Sequence, residues 1–138
     1  MPDPCTYDYA IVRVVPRVER GEFVNVGAIV SSDATDYLAA RFAVDEKRLL
    51  ALDPNVDLNA VRTTLAAIAA VCAGGAPAGA IGRLSLRERF HWLVAPRSTI
   101  IQTSAVHTGR CDDLEGALDR LLDRMVRPAT DPDPDPSP

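Results

Sequence analysis

The chain has 138 residues, 47% of them hydrophobic and 25% charged, with 15 basic side chains against 19 acidic ones. That is the composition of one compact domain whose core buries about two-thirds of the unfolded chain's surface, so neither a disulfide framework nor a metal is needed to hold it. The longest apolar run, Leu65 to Ala73, is far below the roughly 20 residues that span a bilayer, and Met-Pro-Asp-Pro-Cys has neither the basic nor the apolar region of a signal peptide. A cytoplasmic protein is therefore expected.

The charge is unevenly placed. Asp131, Asp133 and Asp135 alternate with proline at the end of the chain, and once these and Asp3 are set aside the body is balanced at 15 of each sign. A domain over residues 1–128 and an acidic, proline-rich, disordered tail over 129–138 are expected, since such a tail has almost nothing to bury. The lack of a positive face argues against a strong non-specific nucleic-acid binder. Fourteen of the 15 basic residues are arginine, the side chain whose planar fork grips carboxylate or phosphate at two points.

In chain order, Tyr7 to Val15 and Phe23 to Val30 are β-branched and aromatic, and Pro16 to Glu22 separates them, which predicts a hairpin. Strict alternation would place Val24, Val26, Ala28 and Val30 on one face of its second strand, opposite Phe23, Asn25, Gly27 and Ile29. Neither strand has a fully polar face, so the hairpin should be central in its sheet with the second face at least partly covered. Tyr37 to Val44 reads as a third strand. Asp45 is placed to cap a short helix through Leu52, and from Asp57 a longer one follows, with Leu58, Val61, Leu65, Ile68 and Cys72 at helical spacing before Gly74-Gly75. Ser85 and Glu88 fit a capping box for a helix through Val94. A strand over Phe90 to Val94 is the alternative. Thr99 to Thr103 is a short strand, and Asp112 with Glu115 would cap a last helix carrying Leu114, Leu118, Leu121, Leu122 and Met125 on its buried face. The class is α+β, with an antiparallel sheet of three to four strands and helices packed mainly on one face.

Two stretches carry a family likeness: Tyr9 to Gly27, with its Arg13-Val14-Val15-Pro16-Arg17 and Gly21-Glu22-Phe23-Val24-Asn25-Val26-Gly27, and Ala95 to Ser104 followed by Val106-His107-Thr108-Gly109. In these the chain resembles the bacterial DUF3037 family over nearly its whole length apart from the acidic tail. The resemblance implies a small stand-alone bacterial protein of no established activity, often encoded beside a HipA-like kinase, which makes such a kinase a possible protein partner.

Chemistry has to come from the residues. Arg13, Arg17, Arg20, Glu22 and Asn25 fall within a short span that the hairpin draws together. They would either bind an anion, with the arginines as forked donors and Glu22 and Asn25 orienting it, or pair locally, with Gly27 allowing a helix to pack close on the strand. A second group joins Arg97, Ser98 and Thr99 to Ser104, His107, Thr108, Gly109 and the start of the last helix. Its hydroxyls and helix amides would make an anion cradle or simply cap backbone groups in a strand-to-helix loop. The pattern lacks the Gly-x-x-x-x-Gly-Lys of a nucleotide loop.

A non-catalytic binding or regulatory module with a candidate anion-binding surface is the leading expectation, with no metal and no cofactor. The alternative is a small hydrolase or nucleotide-acting enzyme using His107 and Glu22 as acid and base, although no nucleophile elbow or carboxylate cluster accompanies them. Self-association through sheet edges or the Leu58 to Cys72 helix would make a homo-oligomer. Cys5, Cys72 and Cys111 are odd in number and far apart in sequence, which favours reduced thiols. A redox role for Cys111 would require a second cysteine beside it.

Overall fold

A computed structural model describes residues 5–97 and 99–128; the acidic tail, Asp3 and Ser98 lie outside the described residues. Three strands run consecutively, β1 (Cys5–Val14), β2 (Val24–Ser32) and β3 (Tyr37–Phe42), and two short ones follow late in the chain, β4 (Ile101–Thr103) and β5 (His107–Cys111). All pairings are antiparallel, in the order β3-β2-β1-β4, with β5 also on β1. β1 is thus central, as the lack of a polar face requires. Its far edge is shared: residues 12–14 pair with β4 and residues 5–9 with β5.

The class is the α+β class expected, and the sheet has five strands. The additional strand is β5, whose His-Thr-Gly-Arg-Cys sequence carries little strand character of its own. It is a strand because β1 offers it a row of unpaired backbone groups, and tertiary pairing outweighs propensity.

Strict alternation fails in β2. Val12 pairs with Gly27 but Arg13 pairs with Asn25, so Val26 is an extra residue, a β-bulge. The bulge shifts which side chains share a face. Val24, Val26 and Ile29 join Val12 and Val14 in one core, whereas Ala28 and Val30 join Ile11 in the other.

The first core is covered by α1 (Glu46–Leu52), α2 (Leu58–Ala73) and α3 (Leu86–Val94). Each begins where a cap was readable: Asp45 accepts from the Arg48 amide at 3.2 Å, Asp57 from Ala60 at 3.0 Å, and Ser85 and Glu88 close a reciprocal capping box. Leu49, Val61, Leu65, Val71, Cys72, Phe90 and Leu93 pack there. Full burial of such a side chain contributes about 1.5–3 kcal/mol.

The opposite face is covered by α4 (Leu114–Leu121) and the π-helical turn that continues it, Leu122–Val126. The two longest apolar helical patterns therefore lie on opposite faces, with three helices on one side and one on the other. Two details depart from the sequence reading. The N-cap of α4 is Asp113, not Asp112, and its side chain makes no capping bond. The π turn closes one residue wider, with Arg127 N–H donating to Leu122 C=O, so Val126 is 2% exposed while Met125, expected on the stripe, is 39% exposed.

Candidate functional site

The hairpin connection forms a 3-10 turn, Val18–Arg20, closed by Gly21 at a φ of 69°. Its charged side chains find partners at once. Arg20 pairs with Glu22, and Arg17 Nε lies 3.6 Å from Asp53 Oδ2. The crevice among Pro16, Arg17, Arg20, Glu22 and Leu52 holds only about 10 Å³, room for a single water at most.

The second group is divided. Arg97 sits at the C-terminal end of α3, where it donates to Leu93 C=O at 3.2 Å and to Trp92 C=O at 2.6 Å and lies 4.4 Å over the Trp92 ring. The Ser104 hydroxyl accepts from the Ile11 amide at 2.8 Å and donates to Ala105 C=O. Arg97 and Ser104, with Val94, Gln102, Thr103 and Val106, line a groove of about 210 Å³ beside β4.

His107, Thr108 and Gly109 are not in a loop. They are the first three residues of β5, opposite Tyr9, Asp8 and Tyr7, because β1 supplies a ladder that their own sequence does not announce. Thr108 Oγ1 donates to Asp8 Oδ1 at 2.9 Å, and the His107 ring lies 5.5 Å from that of Tyr9. The Tyr7 ring lies over Gly109. Arg110 to Asp113 separate these residues from the start of α4. His107 stands beside Tyr9, whereas Glu22 lies beyond the far end of β1. At about 3.3 Å per residue the two are roughly 17 Å apart along the strand, too far to act as an acid and base on one bond.

Arg13 and Asn25 are brought together. The bulge sets them directly opposite each other on β1 and β2. The Arg13 guanidinium lies 4.0 Å over the Phe23 ring. Its Nε is buried and finds no hydrogen-bond partner among the described residues. Asn25 Nδ2 donates to Met125 C=O at 2.9 Å, which leaves Oδ1 buried and equally without a partner. That carbonyl is available because helix ends leave their last C=O groups unpaired. The neighbouring one, of Val126, accepts from Arg48 at 3.3 Å.

Arg13 is unusual in this chain. The other two half-buried arginines are satisfied: Arg41 by Glu115 and Asp119, and Arg89 by the carbonyls of Leu84, Val71 and Cys72. Across β1 from Asn25, Arg13 is paired with Gln102 of β4, which lines the groove containing Arg97 and Ser104. Phe23 and Gln102 were not read as site residues. An exposed phenylalanine three residues after an arginine turn was the available signal for the first, while nothing local marks the second.

The pair leaves one buried donor and one buried acceptor unmatched among the described residues. Arginine offers only donors, and Asn25 Oδ1 is an acceptor that needs one. Among the described residues no cluster of three or more His, Cys, Asp or Glu side chains is placed to hold a metal ion, and no helix is long and apolar enough to cross a membrane.

The molecule is an α+β protein with an open five-stranded antiparallel sheet, and beside its bulge lies an arginine whose buried Nε has no partner among the described residues. It belongs to the DUF3037 family, described as proteins of unknown function, whose model matches residues 9–126. No curated protein and no solved structure matches the chain.

Proposed function

We propose that this protein is a non-catalytic binding module that captures a carboxylate through Arg13, with Asn25 reading an N–H or O–H next to it. The observation that carries this reading is the cross-strand pair itself: a half-buried arginine stacked on Phe23, whose buried Nε has no acceptor among the described residues, opposite a buried amide oxygen without a donor there. Leaving both unmade in the free protein costs free energy that a matching ligand returns. A fully ionised phosphate supplies acceptors alone. A carboxylate flanked by an amide, as at a peptide C-terminus, supplies both.

The partner is then a protein presenting such an end or side chain, and a HipA-like kinase is the first to test. N-acetylglycine is the simple probe. Titrated into the labelled protein, it should shift the amide resonances around Arg13, Asn25 and Phe23. Its methyl ester should not, and Arg13→Gln should abolish the response. Arg13→Lys, which loses the two-point fork, should weaken binding about tenfold or more. Equal binding by Arg13→Gln would overturn the proposal.

A further inference from the structure

The thiols supply the second cysteine that the sequence left missing. Of the three cysteines, Cys72 lies in the first core, packed under α3, away from the others. Cys5 and Cys111, separated by almost the whole domain in sequence, are the outermost rung of the β1–β5 ladder and stand directly opposite each other. Opposed residues of an antiparallel pair point their Cβ atoms to the same face with Cα atoms about 4.5–5.5 Å apart, inside the roughly 4.4–6.8 Å window that a disulfide spans. Both are free thiols, Cys5 half-buried and Cys111 7% exposed. Burial is the main cause that raises the Cys111 thiol above its ordinary value, and the neighbouring Cys5 sulfur adds to it. Cys5 Sγ also lies 3.9 Å from the buried Ser32 hydroxyl, a polar contact at the more accessible thiol.

We propose that Cys5 and Cys111 are a redox-active dithiol that a peroxide converts into a cross-strand disulfide. Cys5, the more exposed, attacks first: its thiolate takes one peroxide oxygen, giving a sulfenic acid and releasing hydroxide. The Cys111 sulfur then attacks the Cys5 sulfur and the S–O bond breaks. The departing oxygen takes the Cys111 proton and leaves as water. In sum two thiols lose two electrons and two protons while one hydrogen peroxide becomes two waters. A dithiol reductant reverses the step by exchange. The bond fastens β5, which among the described residues pairs with β1 alone, at its outer end. The loop it closes contains most of the sheet, so the oxidised chain should unfold at a higher temperature than the reduced one.

The test is made on the full chain, reduced, freed of reductant and treated with equimolar hydrogen peroxide. Thiols titrated in denaturant should fall from three to one, the intact mass should drop by two hydrogens, and a non-reducing digest should join the Cys5 peptide to the Cys111 peptide. Cys72→Ser should still form the bond. Cys5→Ser and Cys111→Ser should not form it, and the rise in unfolding temperature on oxidation should vanish in both. If all three thiols survive both peroxide and diamide, if the link involves Cys72, or if it forms between two chains, the proposal fails.

Discussion

A Cβ placed on Gly27 would stand 2.8 Å from the Arg41 carbonyl oxygen and closer still to the Phe42 ring. The residue is opposite Phe42 in the β2–β3 ladder, so the ring of a neighbouring strand, and not a helix, occupies the space the missing side chain leaves. Gly27→Ala should destabilise the fold by about 1–3 kcal/mol, the usual cost of overpacking, as read from urea midpoints. It should leave the Arg13 site's response to N-acetylglycine intact. At Gly109 a Cβ would meet the outer end of the Tyr7 ring, and there the side chain can swing aside. The effect of Gly109→Ala should therefore be smaller than that of Gly27→Ala. Sequence alone marks Gly27 as a close-approach position and reads Gly109 as a loop residue. It cannot name what approaches, because the partner is set by register across strands and not by neighbours along the chain.

Among the elements, the helix starts were the most legible features and the strand phases the least. The capping box of α3 is a relation between Ser85 and Glu88, three residues apart, and it forms as read. Ser85→Ala should cost about 1 kcal/mol, seen as a lower urea midpoint. Serine's hydrogen bonds also hold the Glu88 carboxyl below its ordinary range. A depressed carboxyl contributes stability above its unfolded value and loses it as the pH falls through the folded one. Ser85→Ala should therefore unfold less steeply with acid than the parent chain below about pH 5. The bulge at Val26 and the π turn after Leu121 had no comparable sign. Each inserts one residue into a regular repeat, and a repeat read from hydrophobicity cannot show an insertion when the flanking residues are apolar too, as Val24, Val26, Ala28 and Val30 all are. The proposed site draws on both insertions: Asn25 stands opposite Arg13 next to the bulge, and its Nδ2 donates to the Met125 carbonyl of the π turn.

For the molecule as a whole, the two cores answer differently to alkali. Burial pushes the Cys72 thiol from an ordinary 9.0 up to about 12. The unfolded chain releases this proton near pH 9 while the folded chain keeps it. The folded state thus binds more protons, and stability falls as the pH rises between these values. The loss should be about 1 kcal/mol between pH 9 and pH 10. Cys72→Ala should flatten that slope even though it lowers stability at neutral pH. Burial and then the Glu115 hydrogen bond raise Tyr37 as well, so above pH 10 a second group favours the unfolded chain and the decline steepens. The α+β class and the central place of β1 were legible because they rest on composition and on strands without a polar face. The fifth strand and the division of the candidate residues were not, since both depend on which segments share the far edge of β1.

The bulge has one more consequence. It makes β2 two half-strands out of phase, each with its own apolar stripe, so that one segment serves the cores on both sides of the sheet. A chain shortened by one residue at Val26 would become a regular strand with both stripes still turned to their proper cores, whereas a substitution there cannot change the phase. A chain lacking Val26 should therefore keep the fold. Arg13 and Asn25 would stay opposite each other in that regular strand, and only the local kink beside them would be lost.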